Sequence, residues 1–330
     1  MTRIAAVGAG RMGRGIAQVF AYAGHDVALI DIKKRGAADR PGLFAAAEAE
    51  IRENLDFLAA EGLFDAAAID GILARISYAG PDQAAEAIAK SDVIFEGVPE
   101  FMEAKYEALQ LIGAQAGAEA IVASTTSTML VETLAGFVAA PERFLNAHWL
   151  NPAYLIPLVE VSPGAATDEA VTTRLCALLE AVGKVPVRCK PAPGFIVPRL
   201  QVVAMNEAAR MVEEGVATAE DIDKAVRYGF GPRYASMGLL EFIDWGGGDI
   251  LYYASKYLTE ALESDRYTAP EVIERHMREG KLGMRDGQGF YDFDAMDTTA
   301  YRRETLSRFT GLMRHMKLLQ PPHQPGNEDQ

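Results

Sequence analysis

The amino-acid sequence predicts an α/β domain built on a doubly wound sheet, followed by an all-α domain. Through residue 190, short apolar runs rich in β-branched residues alternate with helical stretches, which is typical of parallel strands with helices on both faces. From Phe195 onward such runs are few and the pattern is helical. We therefore predict two domains, residues 1–190 and 191–318, and a polar, Pro-rich disordered tail, residues 319–330.

Eight runs in the first domain have the composition of strands. They are Arg3–Val7, Asp26–Asp31, Ile76–Tyr78, Asp92–Glu96, Ala120–Ser124, Phe144–Trp149, Leu158–Val161 and Val185–Cys189. Helical patterns between them include Met12–Ala23, Glu103–Ala116 and Asp168–Val182. This alternation predicts a parallel sheet.

Two further segments can be interpreted from local patterns. The Ala- and Glu-rich stretch from Pro41 to Ile76 is too long for one crossover, and we interpret it as a helical hairpin. In the second domain, Gly215 ends one helix, and Thr218 with Asp221 has the spacing of a capping box that opens the next.

The bulk composition argues against several classes of protein. The net charge of −14 disfavours a nucleic-acid partner or an anionic membrane surface, since both attract a surplus of Lys and Arg. No apolar run reaches the ~18 residues of a membrane span, and the N-terminus has no signal-peptide pattern. We expect a cytoplasmic protein with a small-molecule substrate. Cys176 and Cys189 are too few for a disulfide framework and suggest no metal site, so we expect both to be buried apolar residues.

A glycine pattern near the N-terminus predicts a dinucleotide site. Gly8, Gly10 and Gly13 follow the first strand and open a helix, with Arg11 and Met12 between the last two glycines. Gly8 allows a tight turn, Gly10 lets a pyrophosphate approach the backbone, and Gly13 lets the helix pack closely on the strand. This is the glycine pattern of Rossmann-type domains.

An acidic residue at the end of the second strand predicts the cofactor. A carboxylate at Asp31 can accept hydrogen bonds from both ribose hydroxyls and would repel a 2′-phosphate, so we predict NAD rather than NADP. Lys33, Lys34 and Arg35 follow directly and could weaken that preference.

One histidine is placed for proton transfer. Oxidation of an alcohol needs a base that works near neutral pH, which suits an imidazole. Of five histidines, only His148 lies at the end of a predicted strand, at the sheet edge where ligands bind. Glu160 lies in the next apolar strand and can hold the imidazole if the two strands are neighbours. Alternatively, Glu160 faces outward.

The chain resembles the L-3-hydroxyacyl-CoA dehydrogenase family over residues 2–293. The resemblance is carried by the motifs GAGRMGRGIA, FEGVPEFMEAK, ASTTST, HWLNP with IPLVEV, PAPGFIVPR, NEAARMVEEGVATAEDID and GKLGMRDGQGFYDF. It implies an NAD-dependent enzyme, commonly of fatty acid metabolism, that forms a homodimer through its helical domain.

The resemblance also implies roles for individual residues. His148 would be the catalytic acid and base, Glu160 its orienting partner, and Ser127 the hydrogen-bond donor to the reacting substrate oxygen. Contacts with cofactor are implied for Glu100, Lys105 and Asn151, with Asn151 also near substrate, and Arg285 stands where the family has a cofactor-side lysine. Two alternatives stay open, that Ser127 only caps a helix and that Lys105 is a solvated helix charge.

Three departures leave the substrate open. Pro198 stands where the family pattern has an Asn that assists the substrate oxygen, and proline has no side-chain donor. The segment Gly42–Ala74, where the family often binds the coenzyme A tail, has Arg52 as its only basic residue. The loop with Arg233 is similar to that of L-gulonate and carnitine dehydrogenases, so Arg233 could bind a free carboxylate, or could instead be an ordinary loop or interface residue.

The sequence therefore favours oxidation of a short-chain 3-hydroxyacyl-CoA, such as 3-hydroxybutyryl-CoA. Oxidation of a free β-hydroxy acid is the first alternative. The HW-x-NP-x-x-x-IP pattern, which is similar to that of a pyridine-carboxylate dehydrogenase, supports this alternative. A non-catalytic, crystallin-like NAD-binding protein is the second, and the loss of the Asn at Pro198 gives it some support.

Overall fold

The computed structural model describes residues 1–36 and 39–319 and divides the chain into two compact units. The first unit is Met1–Met205, and the second begins at Asn206. The boundary predicted from sequence, at 190, lies ahead of this division and stays a prediction. The predicted tail, apart from Leu319, lies outside the described residues.

The first unit contains one eight-stranded sheet in the order β3-β2-β1-β4-β5-β6-β7-β8. Its strands are β1 Arg3–Val7, β2 Asp26–Ile30, β3 Ile76–Ala79, β4 Val93–Glu96, β5 Ile121–Ser124, β6 Phe144–Trp149, β7 Leu158–Pro163 and β8 Val185–Arg188. All eight predicted strands are confirmed, with ends that differ by two residues at most. The doubly wound fold class is also confirmed.

The expectation of a parallel sheet is wrong for the last two strands, β7 and β8, which run opposite to the first six. β7 runs antiparallel to β6, while the other neighbouring pairs are parallel. The connection between them, residues 150–157, is built of turns rather than a helix. A parallel crossover needs a longer connection, so this one can only reverse the chain.

Helices cover both faces of the sheet. They are α1 Arg11–Tyr22, α2 Asp39–Ala60, α3 Ile69–Leu73, α4 Pro81–Ala89, α5 Met102–Gln115, α6 Val131–Ala135 and α7 Glu169–Ala181. The pair α2 and α3 confirms the predicted helical hairpin. Buried apolar side chains form one cluster on each face, the first centred on Phe20, Phe95 and Trp149 and the second on Ile94, Leu109 and Phe144.

The remaining helices begin with α8, Val197–Glu213, which crosses the division between the units. After it come α9 Ala219–Ala225, a π-helical turn Val226–Phe230, α10 Gly231–Ser236, α11 Leu239–Gly246, α12 Gly248–Ala261, α13 Glu271–Glu279 and α14 Thr298–His315. The predicted end of one helix at Gly215 and the predicted start of the next at Thr218 are confirmed. Gly215 follows α8 with a φ of +72°, and Thr218 caps α9 by accepting a hydrogen bond from the backbone N–H of Asp221.

Two smaller expectations can be compared with the structure. Cys176 and Cys189 are free thiols but only half-buried, so the prediction of full burial is wrong. Partial burial raises the pKa of both thiols. Among the residues described, no helix combines the length and the apolar character needed to cross a bilayer.

Candidate active site

A cleft of about 830 Å³ opens at the carboxyl edge of the sheet, where the strand order reverses between β1 and β4. This reversal is the place where open α/β sheets bind ligands, because the loops after the two central strands diverge there. The cleft is lined by the glycine turn after β1, the loop Gly97–Phe101 after β4, and Thr125, Ser127 and Asn151.

The glycine turn has the shape that a dinucleotide requires. Gly8 has a φ of +113°, and a Cβ there would lie 2.6 Å from the carbonyl oxygen of Gly97. A Cβ on Gly13 would lie 1.9 Å from the carbonyl oxygen of Gly8. At Gly10, by contrast, a Cβ would meet no described atom within 4 Å. The first N–H groups of α1, from Arg11 to Gly13, have no partner within the helix, and with the open space at Gly10 they fit a pyrophosphate.

The α1 helix also contacts the loop that follows His148. A Cβ on Gly15 would lie 2.8 Å from the Cβ of Ala153. Lys184 also holds this loop, since its Nζ donates to the carbonyl oxygens of Ala153, at 2.5 Å, and Ile156, at 2.9 Å. Burial lowers the pKa of Lys184. These contacts fix the loop that carries Asn151.

Asp31 lines the cleft directly after the end of β2. Its buried carboxylate is approached by Arg35, whose Nε lies 3.1 Å from Oδ2, and by Arg40, whose Nε lies 3.8 Å from the same oxygen. Lys33 and Lys34 also line the cleft. The carboxylate fits a pair of ribose hydroxyls, and the positive charges of the basic residues around it offset its negative charge.

The residues of the predicted catalytic pair lie opposite each other in neighbouring antiparallel strands. His148 of β6 is the register partner of Glu160 of β7, so both side chains project from the same face. Nδ1 of His148 lies 2.7 Å from Oε2 of Glu160, and the two residues are 4% and 0% exposed. The alternative that Glu160 faces outward is wrong. Because an ionised carboxylate only accepts, Nδ1 carries the proton and Nε2 is left as the basic nitrogen.

The second oxygen of Glu160 is also bonded. Oε1 accepts hydrogen bonds from the backbone N–H groups of Ile196 and Val197, both at 2.8 Å, where α8 begins. Burial acts to raise the pKa of Glu160, but the hydrogen bonds from His148, Val197 and Ile196 outweigh it and lower the pKa below the ordinary 4.5. Glu160 is therefore a carboxylate at neutral pH.

Phe195 covers the imidazole. Its ring is stacked on that of His148, with centroids 5.0 Å apart and planes 9° from parallel. Phe195 has a φ of +46°, in the left-handed region of backbone conformation that residues other than glycine rarely adopt. The segment before α8 thus contacts both members of the pair, His148 through Phe195 and Glu160 through two N–H groups.

Pro198 lies in the first turn of α8, directly after the two N–H groups that Glu160 accepts. N–H groups in a first helical turn have no partner within the helix, so proline loses no helical hydrogen bond there. The departure from the family pattern therefore removes a side-chain amide without disturbing the support of Glu160.

Ser127 lies in the turn Thr125–Met129 and lines the cleft. Its backbone N–H donates to Oε1 of Glu100 at 3.1 Å. The following helix α6 begins after Leu130, which holds the N-cap position, so the alternative that Ser127 is a helix cap is wrong. The side chain of Ser127 is exposed and available to a ligand.

Lys105 is fully buried rather than solvated, so the alternative of a surface helix charge is wrong. It is 0% exposed, and its Nζ lies 3.0 Å from Oε1 of Glu96 and 3.4 Å from Oε2 of Glu100. Glu100 itself lines the cleft. Glu96 was not among the predicted site residues, although it is an acid at the end of an apolar strand, which is the signal that singled out Asp31.

Arg233 and Arg285 belong to the second unit. The guanidinium of Arg233, an exposed residue, lies over the ring of Phe242, 5.5 Å from its centroid. Arg285 is 60% exposed and lies 3.4 Å from Asp249 and 3.3 Å from Asp286. The residues of the first unit form the cleft described above, and the roles of these two arginines stay predictions.

The described ranges hold no group of three or more His, Cys, Asp or Glu side chains arranged to bind a metal ion.

Comparison with known proteins adds family information to this geometry. Residues 3–192 match the model of the 3-hydroxyacyl-CoA dehydrogenase NAD binding domain, and residues 194–293 match that of the C-terminal domain. The chain is 33% identical to a 3-hydroxybutyryl-CoA dehydrogenase of Bradyrhizobium diazoefficiens, over 88% of this chain and 95% of that one. It is 30% identical to a 5-formyl-3-hydroxy-2-methylpyridine 4-carboxylate 5-dehydrogenase of Mesorhizobium japonicum, over 94% and 97%.

A solved structure shows the same similarity. The structure of a 3-hydroxyacyl-CoA dehydrogenase from Archaeoglobus fulgidus superposes with a TM-score of 0.75 at 28% identity, covering 97% of this chain and 100% of that one. The similarity thus extends over both units of the chain.

Proposed function

Since this chain belongs to the 3-hydroxyacyl-CoA dehydrogenase family, we propose that it oxidises the 3-hydroxyl group of a short-chain L-3-hydroxyacyl-CoA to a ketone, and catalyses the reverse reduction. It is an NAD-dependent oxidoreductase that acts on CH–OH groups. 3-Hydroxybutyryl-CoA is the proposed substrate because several relatives carry its name. The observation that carries the proposal is the 2.7 Å contact between His148 and Glu160 at the edge of the sheet.

The cofactor is held by the residues around the glycine turn. The N–H groups that begin α1 bind the pyrophosphate, Asp31 accepts from the ribose, and Asn151 and Glu100 border the part of the cleft nearer to β6. When bound, NAD⁺ supplies an acceptor for the hydride that leaves the carbinol carbon.

The proton of the hydroxyl group goes to His148. Nδ1–H donates to the Glu160 carboxylate, which leaves the lone pair of Nε2 to accept the proton. As the imidazole becomes positive, the ionised Glu160 stabilises it, and the two N–H groups of α8 keep that carboxylate in place. Ser127 donates a hydrogen bond to the reacting oxygen.

A substrate screen tests this proposal. Purified protein is given NAD⁺ with 3-hydroxybutyryl-CoA, and separately with free β-hydroxy acids, while NADH absorbance is followed. We expect turnover of the thioester that falls by roughly 10²–10⁴-fold in His148→Gln, with NAD binding retained. If turnover survives in that variant, the assignment of His148 is wrong. His276→Gln, in α13, serves as the matched control.

A second candidate function is oxidation of a free hydroxy acid. Arg52, the only basic residue of segment 42–74, has its guanidinium 2.7 Å from Asp70 and is thus already engaged by an acid. The relative from Mesorhizobium japonicum, matched over 94% of this chain, is named for a pyridine carboxylate. On this alternative Arg233 binds the substrate carboxylate.

The same screen separates the two functions. If a free acid is the better substrate, we expect Arg233→Met to raise its KM about tenfold or more, while Arg227→Met, an exposed arginine of the same unit, leaves it unchanged. If the thioester is preferred and Arg233→Met has no effect, the second candidate is excluded.

We also propose that the chain forms a homodimer through its helical region. Large apolar side chains are exposed along α8 and the helices after it, with Val203 at 69% and Met205 at 68%. Extended apolar surface of this kind marks interaction sites. Light scattering should give twice the chain mass, and Val203→Glu with Met205→Glu should give the monomer, while Gln201→Glu should not. A wild-type monomer at tens of micromolar would contradict this proposal.

A further inference from the structure

A charged cluster, buried except for Glu100, connects the loops that follow β4 and β5. Its members are Glu96, Glu100, Lys105 and Ser124, and we refer to them as the Lys105 cluster. Nζ of Lys105 donates to both oxygens of Glu96, at 3.0 and 3.1 Å, and to the carbonyl oxygen of Val98 at 3.4 Å. Ser124 donates to Glu96 from its Oγ at 2.6 Å.

Glu100 connects this cluster to the turn that carries Ser127. Its Oε2 lies 3.4 Å from Nζ of Lys105, while its Oε1 accepts from the backbone N–H groups of Ser127 and Thr128, both at 3.1 Å. The same oxygen accepts from the hydroxyl of Thr128 at 2.9 Å and from that of Thr126. One carboxylate oxygen thus holds three successive residues of the turn.

The cluster fixes the direction of the Glu100 carboxylate. Glu100 is partly exposed, and burial acts to raise its pKa, but the hydrogen bond from Thr126, the charge of Lys105 and the bonds from Thr128 lower it overall. The carboxylate is therefore ionised and directed toward the ammonium group on one side and the turn on the other. Without Lys105, this side chain could rotate toward water and release the turn.

A buried ion pair is weak evidence for stability, because desolvation of the two charges offsets their attraction. The Lys105 cluster instead fixes the relative positions of two segments of the chain. It joins the Val98–Phe101 loop to the Thr125–Met129 turn, and these two segments border the cleft on the β4 and β5 sides. The backbone N–H of Val98 also donates to Glu96 at 2.8 Å, so both segments are tied to the same acid.

We infer that Lys105 is a positioning residue that acts through Glu100 on the Ser127 turn, rather than a residue that contacts the cofactor. This inference rests on the proposed function, since it assumes that Ser127 takes part in the reaction. The observation that carries it is the position of the Lys105 ammonium group, which is 0% exposed and lies next to the carboxylates of Glu96 and Glu100. Glu100 in turn accepts a hydrogen bond from the backbone N–H of Ser127.

A double-mutant cycle tests the inference. Lys105→Met is combined with Glu96→Gln, so that no charge is left buried alone, and Lys90→Met with Glu86→Gln, an exposed ion pair, is the control. We expect the cluster variant to lower kcat about tenfold or more while the KM for NAD changes less than about twofold. In a Ser127→Ala background, the same cluster variant should lower kcat by less than about threefold, because the turn no longer carries the hydroxyl.

Three outcomes would overturn the inference. One is a tenfold rise in the KM for NAD with kcat unchanged, which indicates a direct cofactor contact. Another is a full, additive loss of kcat in the Ser127→Ala background. The third is normal turnover in Ser127→Ala alone, which removes the premise. Loss of activity in His148→Gln is measured separately, so failure of the proposed function is distinguishable.

Should the double variant fail to fold, as shown by its melting temperature, Glu100→Gln provides the second test. It keeps an acceptor for the turn but removes the attraction to Lys105. We expect it to lower kcat several-fold and to lose that effect in the Ser127→Ala background. An additive effect there contradicts the inference as well.

Discussion

Nδ1 of His148 and Oε2 of Glu160 lie 2.7 Å apart, and the same carboxylate accepts two backbone N–H groups through its other oxygen. The orientation of the imidazole therefore depends on a group that is itself held at both ends. The backbone N–H groups of Ile196 and Val197 require an acceptor and therefore keep one oxygen of residue 160 in place. A substitution at position 160 can then change the other atom of the side chain, which faces His148.

Glu160→Gln should produce the wrong tautomer of His148. The amide oxygen of Gln will accept from the N–H groups of α8, which turns the NH₂ group toward Nδ1 and leaves the ring proton on Nε2. Nε2 then cannot accept a proton, and we expect kcat to fall by roughly 10²–10⁴-fold. The control is Glu169→Gln, an exposed acid on α7. A loss smaller than about threefold would show that Glu160 does not set the tautomer.

The stability of the protein should depend on the ionisation of Glu160. Its pKa in the folded state lies below the ordinary 4.5, so ionised Glu160 contributes stability above about pH 4.5, and this contribution is lost as the pH falls through the folded-state pKa. Urea unfolding between pH 7 and pH 3 should therefore show a shallower acid loss in Glu160→Gln than in wild type. Glu213→Gln, an exposed acid on α8, controls for the removed charge. Parallel curves for wild type and Glu160→Gln would contradict the expectation.

Phe195 should affect rate more than cofactor binding. Its ring is stacked on His148, and an aromatic pair contributes ~1 kcal/mol, so Phe195→Leu should lower kcat roughly three- to tenfold with little change in the KM for NAD. Phe64→Leu removes a comparable aromatic contact, with Tyr22, and leaves the pair untouched. Equal losses of kcat in both variants would mean that the effect is one of general stability.

Cofactor choice should follow the charge at Asp31. Asp31→Ser removes the repulsion toward a 2′-phosphate and frees Arg35 and Arg40 to bind it, so the ratio of kcat/KM for NAD to that for NADP should fall about tenfold or more. Asp26→Ser, at the other end of β2 and exposed, is the matched control. An unchanged ratio would show that the carboxylate does not set the preference.

Replacing Pro198 tests the departure from the family pattern. Pro198→Asn supplies the missing side-chain amide, and we expect kcat/KM for the 3-hydroxyacyl-CoA to rise several-fold. Pro198→Ala, which removes the ring without adding an amide, should give no such gain. The helix should persist in both, since position 198 lies in its first turn. If turnover and substrate preference stay the same in Pro198→Asn, the Asn that is absent from position 198 has no functional role in this protein.

Much of the sheet could be predicted because its strands are short, apolar and bounded by turn residues. The error in the direction of β7 and β8 has a physical origin, since the direction of a strand depends on the connection that leads to it, and the composition of the strand gives no signal for it. The glycine turn could be predicted because Gly8 and Gly13 each meet a steric requirement of the fold, while Gly10 leaves open space beside the helix N-terminus. Local sequence was sufficient for these features.

The contacts that support the site could not be read from local patterns. Phe195 reaches His148 from 47 positions away in the chain, and Ile196 reaches Glu160 from 36. The family resemblance implies a cofactor contact for Lys105, but no local pattern predicts that this side chain is buried, because its burial depends on the position of Glu96 in the folded sheet. Long-range packing determines these relationships.

The close approach of Gly15 to Ala153 has a consequence for the evolution of this site. A single added methyl group at position 15 would push the segment bearing Asn151 away from the nucleotide-binding helix. The distance between α1 and the loop that carries Asn151 thus depends on the absence of a side chain at position 15. Substitution of Gly15 should therefore be poorly tolerated, although the residue that it would displace, Ala153, belongs to the loop and not to the His148–Glu160 pair.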